Sequence, residues 1–379
     1  MKYGDWDGVG TFIWQDDSWP AMRYDLAALA PALARVSHSQ GLLLGRLAEV
    51  GLEQRERACL QALTDDVIKT SAIEGETLEP ASVRSSVARR LGVDIGALAP
   101  SDRHVDGVVD MVLDATTRCQ EPLSARRLWG WHAALFPTDF NGLHRIRVGQ
   151  WRNDAGGPMQ VVSGALGRER VHFQAPPASR LVSETDNFLA WANADTGEPL
   201  LIKAGLAHLW FVTLHPFDDG NGRIARAVGD LFLARADGGS QRYYSLSAQI
   251  QRERKAYYQV LECTQRGDLD VTPWLAWFLD ALQRALDAAL EGLVSVLGKA
   301  RFWQRWAQVP FNERQVFMLN RALDAPDGHL STARWAKLTR CSNDTALRDL
   351  QVLLKLGVIR RLPAGGRSTS YEIAPLTSA

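Results

Sequence analysis

Apolar residues recur at helical spacing from about Tyr24, with Leu26, Leu29, Leu33 and Val36 three or four positions apart and further leucines to Leu52. A second run, from about Glu53, brings Leu60, Leu63, Val67 and Ile68 to one face and stops near Ile73-Glu74-Gly75, where glycine suits a helix end. Further helical runs reach Phe136. Ahead of them Trp6, Phe12, Trp14 and Trp19-Pro20 show no such period and predict an extended arm docked on the helix pair that follows. Between Asn141 and Pro177 the chain turns glycine-rich, and the strand-like Met159–Gly164 and Val171–Phe173 flank a turn at Ala165–Arg170, a β-hairpin pattern. Helical spacing resumes from Ala178 to about Trp306, and its most apolar part, Leu200 to Leu214, is interrupted only by Lys203 and His208. Beyond Val309-Pro310 the pattern predicts helices over 312–323, 331–339 and 342–354, then strands at Gly357–Arg361 and Tyr371–Ile373 around a turn at Pro363–Arg367. Three helices and a two-stranded ribbon describe a winged helix-turn-helix. The predicted class is therefore mainly α, in three regions: 1–100, a Trp-rich arm and helices; 101–300, a helical core with a hairpin at about 158–174; and 310–379.

Length and composition add bounds. A chain of 379 residues suits two or three domains, and 46% hydrophobic with 23% charged residues is ordinary globular usage. Lys+Arg and Asp+Glu are both 43, which excludes a polycation built to coat nucleic acid. The balance is local, however: residues 301–379 hold 12 basic against 6 acidic side chains, an excess of six that the first 300 residues offset. That is the electrostatic footprint of a DNA-binding module. Its candidate recognition helix, Ser342–Asp349, nevertheless carries Asp344 and Asp349, which phosphates repel, and winged helices also dock proteins, so DNA stays one alternative partner of 310–379. Cys59, Cys119, Cys263 and Cys341 form no C-x-x-C pair, which argues against a zinc ribbon or a disulfide framework and predicts buried thiols in a reducing compartment. Without a signal-like N-terminus or an 18-residue apolar stretch, the expectation is a soluble, cytoplasmic protein with no membrane partner. The thirteen tryptophans are expected mostly in the core, where a large ring buries most area.

The segment that carries chemistry is His215-Pro216-Phe217-Asp218-Asp219-Gly220-Asn221-Gly222-Arg223, followed by Arg226. It joins two apolar helical runs, so it feeds a helix N-terminus. Gly220 and Gly222 let backbone N–H groups approach an anion closely, and the helix end adds positive potential. Arg223 and Arg226, three apart, share one helix face and can clamp phosphate oxygens, while Ile224, Val228 and Leu231 make the core stripe opposite. Gly220-x-Gly222-x-x-Ala225 also meets a loose dinucleotide pattern, but that fold needs a preceding strand, and what precedes here is a helical run ending in His-Pro. A plain glycine-rich helix connection explains each residue singly but not their combination.

His215 through Arg226 match H-P-F-x-[DE]-G-N-G-R-x-x-R, and on that motif the chain resembles the Fic (filamentation induced by cAMP) family. The resemblance implies a protein adenylyltransferase, which moves AMP from ATP to a Ser, Thr or Tyr hydroxyl of a target protein or of itself and releases pyrophosphate. It makes His215 the general base. Asp219 becomes the Mg²⁺ ligand, and Gly220, Asn221, Gly222 and the Arg223 backbone become the anion hole. Arg223 would then grip the β-phosphate and Arg226 the γ-phosphate; Phe217 would seat the loop. By the same resemblance Val162, Ser163 and Gly164 belong to a flap that pairs with the target backbone. Tyr257, Tyr258 and Gln265 fall where relatives contact adenine, against the plainer reading of paired tyrosines as core.

Thr70-Ser71-Ala72-Ile73-Glu74-Gly75 fits [ST]-x-x-x-E-[GN], the family's inhibitory motif, in its N-terminal placement. The resemblance implies that Glu74 pairs with Arg226 and denies its guanidinium to the γ-phosphate, with Thr70 and Gly75 the other fixed positions of the inhibitory motif. It further implies a homodimer, and in some relatives the same glutamate serves removal of AMP; others move UMP or phosphate. A reading of another class stays open beside it, a DNA-binding regulator in which the nucleotide site is secondary.

Overall fold

The structure, a computed structural model, describes residues 11–141, 144–164, 168, 170–239, 241–323, 329–363 and 369–375. Trp6 of the arm, most of the hairpin turn (165–167 and 169) and residues 364–367 of the ribbon turn lie outside the described residues. The chain divides into two units, 1–289 and 290–379.

The first unit opens with a short 3-10 turn, Ile13–Gln15, followed by α1 (Leu26–Ala48), α2 (Leu52–Ile73), α3 (Pro80–Leu91), α4 (Arg103–Thr117) and α5 (Ala125–Leu135). Local chemistry sets these boundaries. Asp25, Asp102 and Ser124 accept from the backbone N–H three residues on, which satisfies donors that no helical carbonyl reaches. Pro80 opens α3, and left-handed Gly92 closes it. Two small antiparallel pairs follow: β1 (Phe140–Asn141) with β2 (His144–Arg145), and β3 (Gln160–Ser163) with β4 (Arg170–Gln174). In the second pair Gln160 faces Gln174 and Ser163 faces Arg170, with a register shift between Val161 and Val162. Every residue of β3 is exposed.

Next come α6 (Ala178–Asn193), α7 (Leu200–Leu214), α8 (Asn221–Ala236), α9 (Leu246–Arg252), α10 (Arg254–Gln265) and α11 (Thr272–Arg305), with the unit boundary inside α11. Leu201 through Leu214 of α7 are all buried, which is why the segment is apolar all round rather than amphipathic. Lys203 survives there because its ammonium donates to the Ala194 carbonyl at 2.5 Å and lies 5.0 Å from the Trp191 ring centre. α8 packs along α7, and α2, α4 and α5 pack on α8. No helix among the described residues is long and apolar enough to cross a membrane.

The arm does not lie on the helix pair that follows it. Phe12 packs edge-on against Phe173 of β4 (5.2 Å), Trp14 Nε1 donates to the Gln174 carbonyl (2.6 Å), and Trp19 meets Trp210 of α7 and Glu184 of α6. Large rings seek the deepest available burial, and here the hairpin and α6–α7 offer it. The expectation of four buried thiols also needs correction: Cys59 and Cys119 are buried, but Cys341 is half-buried and Cys263 exposed. Cys263 sits on α10 opposite the face formed by buried Tyr257, Leu261 and Thr264.

The second unit holds α12 (Glu313–Leu323), β5 (Leu330–Ser331), α13 (Thr332–Thr339), α14 (Asn343–Lys355), β6 (Ile359–Arg361) and β7 (Ser370–Ile373). The sheet has three antiparallel strands in the order β5-β7-β6, one more than the sequence pattern indicates, because a two-residue strand leaves no alternation to detect. Its own core includes Phe302, Leu319, Trp335, Leu350, Leu353 and Tyr371.

Candidate active site

The connection His215–Gly220 turns the chain from α7 into α8. His215 caps α7 in the left-handed region (φ 48°), a conformation uncommon outside glycine, and its N–H donates to the Phe211 carbonyl at 3.1 Å. Its Nδ1 lies 3.1 Å from the Val212 carbonyl. A carbonyl only accepts, so Nδ1 carries the proton and Nε2 presents a lone pair. Burial lowers the His215 pKa, against the opposing pull of the Val212 bond, and favours this neutral form.

The loop behind His215 is locked from several sides. Phe217 is fully buried and stacks face to face on His132, with ring centres 4.2 Å apart. His132 Nδ1 accepts from the Gly149 N–H (3.1 Å), and burial pushes its pKa down to about 4, against a hydrogen bond toward the Asp219 backbone. The side chain of Asn221 accepts from the Phe217 N–H (2.9 Å) and donates to the Phe217 carbonyl (2.8 Å). Both ends of that amide are thereby used. The side chain of Asn221, expected in the anion hole, holds the loop instead, which leaves its backbone N–H at the start of α8 as the donor available to an anion. Gly220 takes φ 75°, and a Cβ there would meet the Phe136 ring at 2.9 Å.

Arg152, which the sequence pattern does not flag, ties this loop to the hairpin. Its backbone N–H donates to the Pro216 carbonyl (2.9 Å) and its guanidinium to the carbonyls of His215 (2.8 Å) and Pro176 (2.5 Å) and to Asp154 (2.9 Å). It stands in an aperiodic stretch, Gln150-Trp151-Arg152-Asn153, where no spacing marks it as buried. Val162, Ser163 and Gly164, expected in a flap, lie on the exposed hairpin, Gly164 with φ 110°, and the Ser163 hydroxyl is 2.6 Å from His172 Nε2.

The two arginines of the first turns of α8 are almost wholly buried, and both meet carboxylates from the end of α2. Glu74 Oε1 lies 2.8 Å from Arg226 Nη2. Thr70 completes the clasp, its hydroxyl accepting from Arg226 Nε at 2.7 Å and its carbonyl from Nη2 at 2.9 Å. Gly75 (φ 89°) turns the chain just after Glu74. The approach is so close that a Cβ on Gly222 would come within 2.2 Å of Glu74 Oε1. Upstream on α2, Asp66 accepts from the Ser245 hydroxyl (2.5 Å), which holds the same helix against the start of α9. Glu76, also unflagged by the sequence, lies 2.7 Å from Arg223 Nη1 and 3.3 Å from His104 Nε2.

Two buried guanidinium donors, Arg223 Nε and Arg226 Nη1, have no hydrogen-bond partner among the described residues. With the first N–H groups of α8, which no helical carbonyl can reach, they form a donor set suited to phosphate oxygens. Tyr258 faces this site, its hydroxyl 3.4 Å from Glu74 Oε2. Tyr257 and Gln265, expected at the adenine, belong to the core instead: Tyr257 is buried against Trp274 and Trp277 and hydrogen-bonds His208 Nε2 (2.9 Å), and Gln265 donates to the Thr213 hydroxyl (3.2 Å).

A family model described as Fic/DOC family matches residues 122–233, which includes His215 through Arg226. The chain therefore carries a Fic domain over these residues. Residues 12–93, ahead of the Fic domain, match a model described as a domain of unknown function (DUF4172). Curated proteins similar to this chain include the protein adenylyltransferase Fic of Culex quinquefasciatus, 26% identical over 245 residues, which cover 64% of this chain and 44% of that one. The protein of the same name from Drosophila grimshawi is 27% identical over 236 residues, covering 62% and 44%. The chain thus matches less than half the length of these relatives. A crystal structure of a Fic family protein from Desulfovibrio desulfuricans G20 shares the fold, with a TM-score of 0.50 at 22% identity over 92% of this chain and 98% of that one.

Proposed function

We propose that this Fic protein transfers AMP from ATP to a Ser, Thr or Tyr hydroxyl of a target protein, and that Glu74 holds it inhibited. The observation that carries the reading is the Glu74–Arg226 ion pair in the first turns of the helix that follows His215. In this mechanism His215 Nε2 takes the proton of the target hydroxyl, whose oxygen attacks the α-phosphorus as the bond to pyrophosphate breaks. The Val212 carbonyl keeps the imidazole in the tautomer with Nε2 unprotonated. Backbone N–H groups at the start of α8 receive charge on the α-phosphate, and Arg223 and Arg226 hold the β- and γ-phosphates.

Asp219 would hold Mg²⁺, which when bound would supply neutralisation of phosphate charge. A single carboxylate suits this cation, since Mg²⁺ takes its remaining ligands from phosphates and water, and no cluster of three or more ligating side chains occurs among the described residues. β3, exposed along its length, offers the target backbone an edge. Relatives named protein adenylyltransferase support this substrate class. The same site would support removal of AMP, since a phosphoester of AMP needs neither arginine.

The test is self-labelling of the full chain with ATP carrying label on its α-phosphate. Glu74→Gly should raise incorporation about tenfold or more, the effect of removing a competitor worth ~1.4 kcal/mol. His215→Ala in that background should abolish it with ATP binding retained. Unchanged labelling in folded Glu74→Gly overturns the inhibitory role, and labelling that survives His215→Ala overturns the base.

One observation supports DNA as a second partner, through 310–379. Asp349 of α14 is turned inward onto Arg314 (2.8 Å) and Asn312 (2.9 Å). Of the two aspartates that argue against nucleic acid, only Asp344 stays on the exposed face, with Asn343, Arg348, Gln351 and Lys355.

A further inference from the structure

Glu74 and Glu76 leave the same turn and meet different arginines. The turn is fixed by Gly75 at φ 89°, by the Gly75 N–H on the Ala72 carbonyl (3.1 Å) and by the Glu76 N–H on the Ser71 carbonyl (3.0 Å). Glu76 Oε2 then sits between Arg223 Nη1, at 2.7 Å, and His104 Nε2, at 3.3 Å. Arg223 has little freedom to leave: its side chain is 2% exposed, and its guanidinium lies 5.2 Å from the Phe136 ring centre. Glu76 itself is about one-third exposed (32%), so its carboxylate can swing to water while the arginine stays. Although burial works to raise its pKa, the His104 hydrogen bond and the Arg223 charge hold the Glu76 carboxyl below the usual carboxylate range. It is therefore an anion at neutral pH.

Resting on the nucleotide reading above, we propose that Glu76 is a specificity-determining residue that occupies the β-phosphate position on Arg223, as Glu74 occupies the γ-phosphate position on Arg226. The carboxylate uses a guanidinium donor that a phosphate oxygen needs, and its charge repels that oxygen. Two carboxylates on two arginines make the resting site a gauge of phosphate number. AMP, free or esterified to a protein hydroxyl, displaces neither. ADP must displace Glu76, and ATP must displace both. Releasing Glu74 alone leaves Arg223 Nη1 occupied by Glu76, so Glu74→Gly frees only part of the affinity for ATP.

The experiment is calorimetric titration of the full chain with AMP, ADP and ATP, using wild type, Glu76→Gln, Glu74→Gly and the double variant, each checked for an unchanged thermal melt. Glu76→Gln should tighten ADP and ATP about five- to tenfold and leave AMP within about twofold. Glu74→Gly should tighten ATP alone, and the double variant should bind ATP more tightly than either. Glu76→Ala serves as a second variant and should give the same order among the three ligands. Tightening that is equal for all three nucleotides overturns the assignment. ATP binding that responds to Glu74→Gly and ignores both Glu76 variants overturns it while sparing the nucleotide reading. No binding by any variant overturns both.

Discussion

His215 is held in one tautomer by the Val212 carbonyl, and burial favours its neutral form, the state that the proposed base needs before any substrate arrives. The sign of the pH dependence follows. A histidine pKa held below its usual ~6.5 keeps the base unprotonated to lower pH, so the acidic limb of AMP transfer should fall below 6.5. Glu74 is among the groups that raise this pKa, and Glu74→Gly should move the limb lower still. Initial rates of that variant across pH 5–8 decide the matter; a limb at or above 6.5 contradicts it. At this scale the sequence was most legible where a residue's type implies its chemistry, as for His215, Arg226 and Glu74. It was silent on Arg152 and Glu76, because their roles depend on partners 63 and 147 positions away.

Among the described residues, the bracing contacts on the hairpin β3–β4 fall on β4. The arm covers β4 through Phe12 and Trp14, while Arg266, just past the end of α10, donates to the carbonyls of Val171 (2.6 Å) and His172 (3.0 Å), and Glu262 of α10 pairs with His172 (2.8 Å) and Arg170 (3.0 Å). Arg266 also lies 5.2 Å from the Phe12 ring centre, so arm and α10 form one brace. β3 is left as a supported free edge. Phe12→Ala with Trp14→Ala should therefore speed amide exchange in β4 and lower transfer to a protein target about tenfold, with ATP affinity within about twofold. Exchange mass spectrometry and titration on the same sample check this, and unchanged β4 exchange would show that the arm does not brace the hairpin. Helices were legible at this scale because burial on one face repeats every three to four residues, and caps such as Asp25 and Ser124 mark their starts. The arm's docking was not, since three aromatic rings within eight residues say that they are buried but not against what.

For the whole chain a net charge of zero conceals a basic C-terminal region, and the folded second unit bears on whether that charge meets nucleic acid. If the exposed face of α14 meets DNA, the full chain should shift a mixed-sequence duplex at about 50 mM salt. Arg348→Ala with Lys355→Ala should weaken that shift about tenfold and lower the salt slope by about two. No shift at low salt leaves 310–379 to a protein partner.

By itself the sequence determined the Fic motif, the mainly helical class and the loop that carries His215, because motif spacing and helical periodicity are properties of neighbours along the chain. Tertiary structure alone decided which carboxylate meets which arginine, that Tyr257 and Gln265 serve the core, and that Asp349 faces inward. Each of those depends on the geometry with which distant segments meet, and burial and charge pairing act there through space rather than along the sequence.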